Sequence, residues 1–441
     1  MAIQELKIAG FRSLKEATWI PGRLNLLVGA NGSGKSNLIR CLELIADAAK
    51  GELEKSLAAE GGLFPILWDH QSGSCCWKLR IDPVDKPRDR VKDALTYELE
   101  LAQVPGTGSA YEIAKDTFGN WYKFEHGQEK SPHWIFNRTW QRAYLFDQQQ
   151  AKLVQLEELS SDNPDGYEEN ESLLSQIADM RNRIPTLARR EIEGWNIHHD
   201  LHAERGSTMR RPATTQFTKR LASDGSNLVT VLHTLYTGSR EFRDQINEGM
   251  KAGFGEEYSD LVFQPAAAQQ IQLAVQWKSS SRPHAGSDLS DGTLRFLFLL
   301  TALSHPEPAA LIAIDEPEAG LHPSMLPILA EFAAAASERT QVVLTTHSPE
   351  FLDAFTDLSP EVTLCHWEDG ETQLFQINST SLKKWLSQYR LGYIFTRGEL
   401  ESLALPSVEP IDDMTKRLED LPSEDEAMAR LQGDLEGASD G

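Results

Sequence analysis

The chain has only four cysteines in 441 residues, Cys41, Cys75, Cys76 and Cys365, with no CxxC spacing and no companion histidine pattern. This excludes a zinc-ribbon or disulfide-stapled scaffold and leaves reduced thiols used for packing. Long apolar runs are missing as well. No segment reaches the about 18 uninterrupted apolar residues of a membrane span, and Arg295 breaks the best candidate. The opening MAIQELKIAGFRSL lacks the basic-then-apolar order of a secretory address, so a cytoplasmic protein is expected. Sustained heptads are absent, which excludes an extended coiled coil. Positive charge is scarce: 43 Lys and Arg stand against 66 Asp and Glu, for a net charge of −23. From Gly398 to the end the imbalance is 3 against 13. Such a chain gains no general attraction to nucleic acid, although local basic patches remain open to it.

What is present reads as an ordinary globular composition, 40% hydrophobic and 25% charged, in a chain long enough for two lobes. Alternation at Ile3, Leu6 and Ile8 and the apolar run Leu24–Val28 predict strands, and a helical pattern follows over Ser36–Ile45. Trp77–Ile81 and Leu95–Leu101 suggest an antiparallel sheet. Residues 150–194 turn polar and helical in pattern, and from 289 onward helix, strand (Ala309–Ile314), helix (Met325–Ala336) and strand (Gln341–Thr346) predict a parallel α/β sheet. The expected organisation is a first lobe at 1–149, a helical insertion and linker at 150–235, a second lobe at 236–400 and an acidic, flexible tail at 401–441.

Chemistry first enters at Gly29-Ala30-Asn31-Gly32-Ser33-Gly34-Lys35-Ser36, which meets GxxxxGK[ST] at every fixed position. It follows an apolar strand and opens a helical pattern, the context in which this spacing cradles phosphate. Glycines let backbone N–H groups turn inward around phosphate oxygens, and the helix N-terminus adds partial positive charge. The expected ligand is ATP, with Lys35 bridging the β- and γ-phosphates and the Ser36 hydroxyl on Mg²⁺. Such a site needs an acid at the end of a buried parallel strand. Leu311–Pro317 supplies two: Asp315 for the Mg²⁺ shell and Glu316 to polarise the attacking water. A third strand, Val342–Thr346, ends in His347, placed to sense the γ-phosphate edge.

GANGSGKS, LSDGT, AIDEPEAGLHP and TTHS, in that order, resemble the Walker A, signature, Walker B with D-loop, and switch-histidine motifs of ABC-type ATPases. IAGFRSL near the start, and DEPEAGLHP in place of DEPTSALD, make the chain similar to the RecF, SMC and OLD-like branch. More narrowly it resembles stand-alone AAA-like ATPases of bacterial defence or toxin–antitoxin modules. With SDGSNLVTVL and SLKKWLSQYRLGYIFTRGEL the resemblance spans most of residues 1–400. It implies an α/β ABC ATPase head, a P-loop NTPase with a mixed central sheet, an antiparallel β subdomain and an inserted helical subdomain. It also implies a homodimer in which Ser290, Asp291, Gly292 and Thr293 of one subunit close over the γ-phosphate held by the other. Ser290 can donate a hydrogen bond there, and the helix starting near Thr293 points its dipole at the anion. The D-loop, Glu318 with Gly320, Leu321 and His322, would cross the interface. Arg12 and Ser13 fall where related ATPases touch the nucleotide rim. Asp291 stands where the commoner motif has a second glycine, so its carboxylate must point away from phosphate.

Three functions are compatible with these residues. The first is an ATP-driven dimeric switch that controls a separate effector protein, expected in bacterial defence, with the acidic tail either docking that effector or simply solubilising the chain. The alternative is a RecF-like DNA-binding repair ATPase using Arg181, Arg183, Arg189, Arg190, Arg205, Arg210 and Arg211. A nucleotide-binding scaffold with little turnover is a third possibility. The glutamine-bearing loop between the lobes falls at Asp147–Gln150 or after His199–His202. His198, His199 and His202 have no acidic partner at a metal-site spacing.

Overall fold

The computed structural model describes residues 1–68, 72–82, 94–104, 106–107, 110–120, 133–140, 142–147, 152–156, 167–177, 183–199 and 201–377, with 382, 386, 389–398, 400 and 404–405. Gln148–Gln150, Asp200 and the tail beyond residue 405 lie outside these. So does Arg181.

A seven-stranded sheet organises the molecule, in the order Asn196–His198, Leu311–Ile314, Gln341–Thr346, Leu24–Val28, Glu361–Glu368, Glu371–Ile377, Ala404–Leu405. The first five strands are parallel, and Glu371–Ile377 pairs antiparallel with both of its neighbours. Strand alternation decides what lies on each face. Leu24, Leu26, Val28, Ile312, Ile314, Val342 and Leu344 join one core cluster with the helices Asp291–Leu303 and Leu326–Ser337. Leu27, Leu311, Ala313 and Val343 join the other with the helix Lys35–Lys50. Residues buried on both faces explain why these strands read as continuous apolar runs. Each fully buried Leu, Ile or Val contributes about 1.5–3 kcal/mol, so the two flanking helices are firmly seated.

An eight-stranded antiparallel sheet runs in the order Leu14–Trp19, Ile3–Phe11, Ser74–Ile81, Leu95–Gln103, Tyr111–Asn120, His133–Thr139, Arg142–Asp147, Lys152–Gln155. A four-stranded sheet contains Ala213–Thr214, Gln270–Trp277, Tyr258–Ala266 and His284–Ala285. Between residues 150 and 235 the described residues also form the helices Leu173–Gln176, Arg183–Glu193 and Leu228–Gly238. All four cysteines are buried and unbonded, as their spacing predicts. Among the described residues no helix is long and apolar enough to cross a membrane. The parallel strands Leu24–Val28, Leu311–Ile314 and Gln341–Thr346 end side by side, and in an open parallel sheet that end is where ligands bind.

Candidate nucleotide site

The segment Gly29–Gly34 leaves the strand Leu24–Val28 and turns straight into the helix Lys35–Lys50. Gly34, at φ 93°, is the N-cap, and no side chain caps the helix. A Cβ on Gly34 would overlap the Thr372 and Ser13 hydroxyls. The Asn37 N–H turns back to the Gly34 carbonyl at 3.0 Å, and no side chain takes the N–H groups of Lys35 and Ser36, the arrangement that favours phosphate. Lys35 is 4% exposed and its Nζ donates to the carbonyls of Gly29 (2.8 Å) and Ala30 (2.9 Å), so it curls back over the loop. Burial pulls its pKa down, and Cys365, Glu316, Asp315 and Glu318 act against that, which places the acids within electrostatic reach of the ammonium. Ser36 is exposed. Ser13 lies against the loop: its Oγ accepts from Asn37 Nδ2 (2.6 Å) and Thr372 Oγ1 (2.7 Å). Arg12 is drawn elsewhere, its guanidinium donating to Glu60 Oε2 at 2.7 Å.

The strand Leu311–Ile314 delivers Asp315 and Glu316 beside the end of Gln341–Thr346. Thr345 ties the two acids together: its hydroxyl donates to the Asp315 carboxylate and accepts the Glu316 N–H at 2.9 Å. Glu316 has φ 44°, a left-handed conformation that costs a non-glycine residue about 1–2 kcal/mol. Hydrogen bonds on both sides offset that cost, the second from Arg295 Nη2 to the Glu316 carbonyl at 2.8 Å. The Glu316 carboxylate meets His347 Nδ1 at 3.0 Å. These two side chains are 37% and 41% exposed, so water reaches them. Glu318 is held by the Thr346 hydroxyl, and burial pushes its carboxyl pKa up.

The signature segment begins its helix two residues earlier than the sequence suggests, at Asp291, because Ser290 is the N-cap. Ser290 Oγ accepts the Thr293 N–H at 3.1 Å and lies 2.7 Å from Thr293 Oγ1. A Cβ on Gly292 would stand 2.7 Å from the Gly320 carbonyl, so only glycine permits this approach of the signature turn to the D-loop. Leu321 is half-buried, and His322 is exposed and accepts the Ser324 N–H. Among the described residues no hydrogen bond joins Ser290–Thr293 to Gly29–Ser36.

A family model described as "AAA domain, putative AbiEii toxin, Type IV TA system" matches residues 24–353. The chain belongs to this AAA ATPase family. No curated protein matches it. Among solved structures, the AAA ATPase is similar to an Smc head bound to the C-winged helix domain of ScpA: 14% identity, TM-score 0.52, 87% of this chain and 100% of that one. A Pyrococcus furiosus Smc head with an extended coiled coil, bound to the C-terminal domain of ScpA, aligns at 12% identity and TM-score 0.48, covering 88% of this chain and 99% of that one. The first likeness shows the fold, an ABC ATPase head of the SMC type.

Several residues that shape the site in this AAA ATPase have partners that no motif spacing announces. Thr345, Arg295 and Thr372 act through partners distant in sequence, and so does Arg210. Arg210 is buried and its guanidinium meets the Asp291 carboxylate, which removes it from any DNA-facing surface. Arg189 pairs with Glu193 at 3.3 Å. Arg190, Arg205 and Arg211 are exposed.

Of the three histidines, His198 is packed into the fold. His198 is fully buried, its Nδ1 is 3.0 Å from the Ser223 carbonyl, and its ring stands edge-on to Phe298 at 4.8 Å. Its carbonyl accepts the Asp315 N–H at 2.8 Å. His202 is exposed, and among the described residues no cluster of three His, Cys, Asp or Glu is placed for a metal. Burial lowers the His198 pKa from 6.5 to about 4. Between those values the unfolded chain binds the proton and the folded one does not, so this stability is present above about pH 6.5 and lost as pH falls towards about 4. Wild type should lose about 2 kcal/mol between about pH 7 and pH 5 that His198→Leu does not lose, measured by urea unfolding. Equal losses in the two proteins would reject this role.

Proposed function

We propose that the protein hydrolyses ATP as a two-copy switch that controls a separate effector protein in bacterial defence. The observation that carries this reading is the convergence of Lys35, Asp315, Glu316 and His347 at neighbouring strand ends, with an uncapped helix N-terminus beside them. Backbone N–H groups of Gly29–Gly34 and Lys35 hold the phosphates. Ser36 and Asp315 are hard oxygen donors, and Mg²⁺ takes one or two such ligands with phosphate and water oxygens, so the donor set fits. When bound, the ion would neutralise charge developing on the phosphate oxygens. Glu316 accepts a proton from water as it attacks, and His347 orients that carboxylate while facing the γ-phosphate edge.

In this reading the signature Ser290–Thr293 and the D-loop Gly320–His322 meet the second copy's nucleotide. Residues 1–149 and 236–400 act as the two lobes, 150–235 transmits closure, and 401–441 docks the effector. The Smc head bound to a winged-helix domain of ScpA supports a protein partner for this fold. Loss of Arg210 from the exposed basic set weakens the DNA alternative. The test is phosphate release by wild type against Lys35→Ala, together with light scattering of each with and without Mg²⁺-ATP. Wild-type release no faster than that of Lys35→Ala sinks the enzymatic claim.

A further inference from the structure

Asp291 occupies the first turn of the signature helix, where a carboxylate competes with any incoming anion for the helix N-terminus. Its side chain is 66% exposed, whereas that of its partner Arg210 is 4% exposed. Arg210 ends the short helical turn Thr208–Arg210, 81 residues earlier in the chain. Its Nε donates to the carbonyls of Ala203 (2.9 Å) and Glu204 (3.0 Å). Its Nη1 donates to Leu289 (2.6 Å) and, at longer range, to Gly286 (3.3 Å) and Ser287 (3.5 Å). Its Nη2 meets the Asp291 carboxylate. One buried guanidinium therefore organises the carbonyls leading into the signature and points its remaining face at the one anionic side chain of that turn. Nothing in holding those carbonyls requires an acid at 291. The acid is tolerable beside a phosphate site only while a fixed positive charge faces it, because an uncompensated carboxylate would repel phosphate at close range.

We propose that Arg210 is a positioning residue for ATP hydrolysis, and that its pairing with Asp291 neutralises and orients the signature turn so that the second copy's γ-phosphate can approach Ser290 and the helix N-terminus. This rests on the two-copy reading above. It adds that a residue 81 positions away in the chain, and not the signature itself, compensates the charge of that turn.

The rescue experiment separates charge compensation from simple bracing. Steady-state phosphate release and ATP-dependent dimerisation are measured for wild type, Arg210→Met, Asp291→Asn and the double variant, with fluorescent-ATP binding to monomer as the control. Arg210→Met lowers kcat by at least about tenfold with monomer binding retained. Adding Asp291→Asn then recovers at least about fivefold, because the unpaired carboxylate is gone. A double variant no faster than Arg210→Met overturns the proposal. If Arg210→Met does not fold, Arg210→Gln is used instead: it keeps amide donors for the carbonyls and deletes the charge, and the same recovery is expected. Failure of both Arg210 variants to fold, with or without Asp291→Asn, makes the residue a brace and also overturns the proposal. A wild type that does not dimerise with ATP overturns the two-copy reading, and the pairing with it. A wild type that does dimerise, without rescue, overturns the pairing alone.

Discussion

Replacing Glu316 by glutamine is expected to cut phosphate release by about a thousandfold while ATP binding survives, leaving the protein as an ATP-loaded dimer. Glutamine keeps the shape of the side chain but cannot take a proton from water. The main-chain contacts that fix residue 316, its N–H donating to the Thr345 hydroxyl and its carbonyl accepting from Arg295, do not involve its carboxylate. Its contact with His347 Nδ1 survives as an amide contact. The loop therefore stays in place and only the proton acceptor is lost. Light scattering and retained nucleotide after gel filtration measure this, beside single-turnover hydrolysis. Turnover within tenfold of wild type would remove Glu316 from its assigned role.

Ser290→Arg is expected to abolish hydrolysis to a similar extent through a different step. Ser290 is exposed at the start of the signature helix, and its hydroxyl caps Thr293. Loss of the cap costs about 1 kcal/mol, which a buried, well-seated helix absorbs. The arginine bulk instead obstructs closure over the other copy's phosphate, so monomer ATP affinity is unchanged and ATP-dependent dimerisation disappears. Mixing gives the sharper measurement. Ser290→Arg retains its phosphate loop and Lys35→Ala retains its signature, so a mixed dimer holds one complete site. That complete site lets a mixed dimer close, so mixing the two inactive proteins restores turnover, up to about a quarter of wild type for random pairing into a two-fold dimer. A mixture as inactive as its parts means the site is not shared between copies.

The parts legible in the sequence are those carried by short-range pattern. Gly29–Ser36 announces itself because strand, glycine turn and helix are contiguous. The strand ends at Asp315 and His347 are legible because both-face burial writes apolar runs that stop at polar residues. The supporting contacts are not local. Thr345 reaches Glu316 across 29 residues and Arg295 reaches the same residue across 21. Neither distance has a periodicity, and a threonine in a strand or an arginine in an apolar helix looks like packing or solvation. Asp291 is the clearest case. Read as a departure from glycine it is a defect in an anion site, and only the placement of Arg210, which the sequence offers as one of a basic set, gives it a partner.

The close approach of Gly292 to Gly320, together with the Arg295 bond to the Glu316 carbonyl, makes the signature helix part of the same rigid body as its own subunit's acidic loop. In a two-copy assembly each helix would thus answer to a nucleotide in the opposite site while steadying the carboxylate in its own. Coupling of this kind is reciprocal, the same factor in both directions, and a closure that helps both sites makes that factor favourable. ATP saturation curves should accordingly be sigmoidal, with cooperativity that vanishes when Arg295 no longer grips the loop.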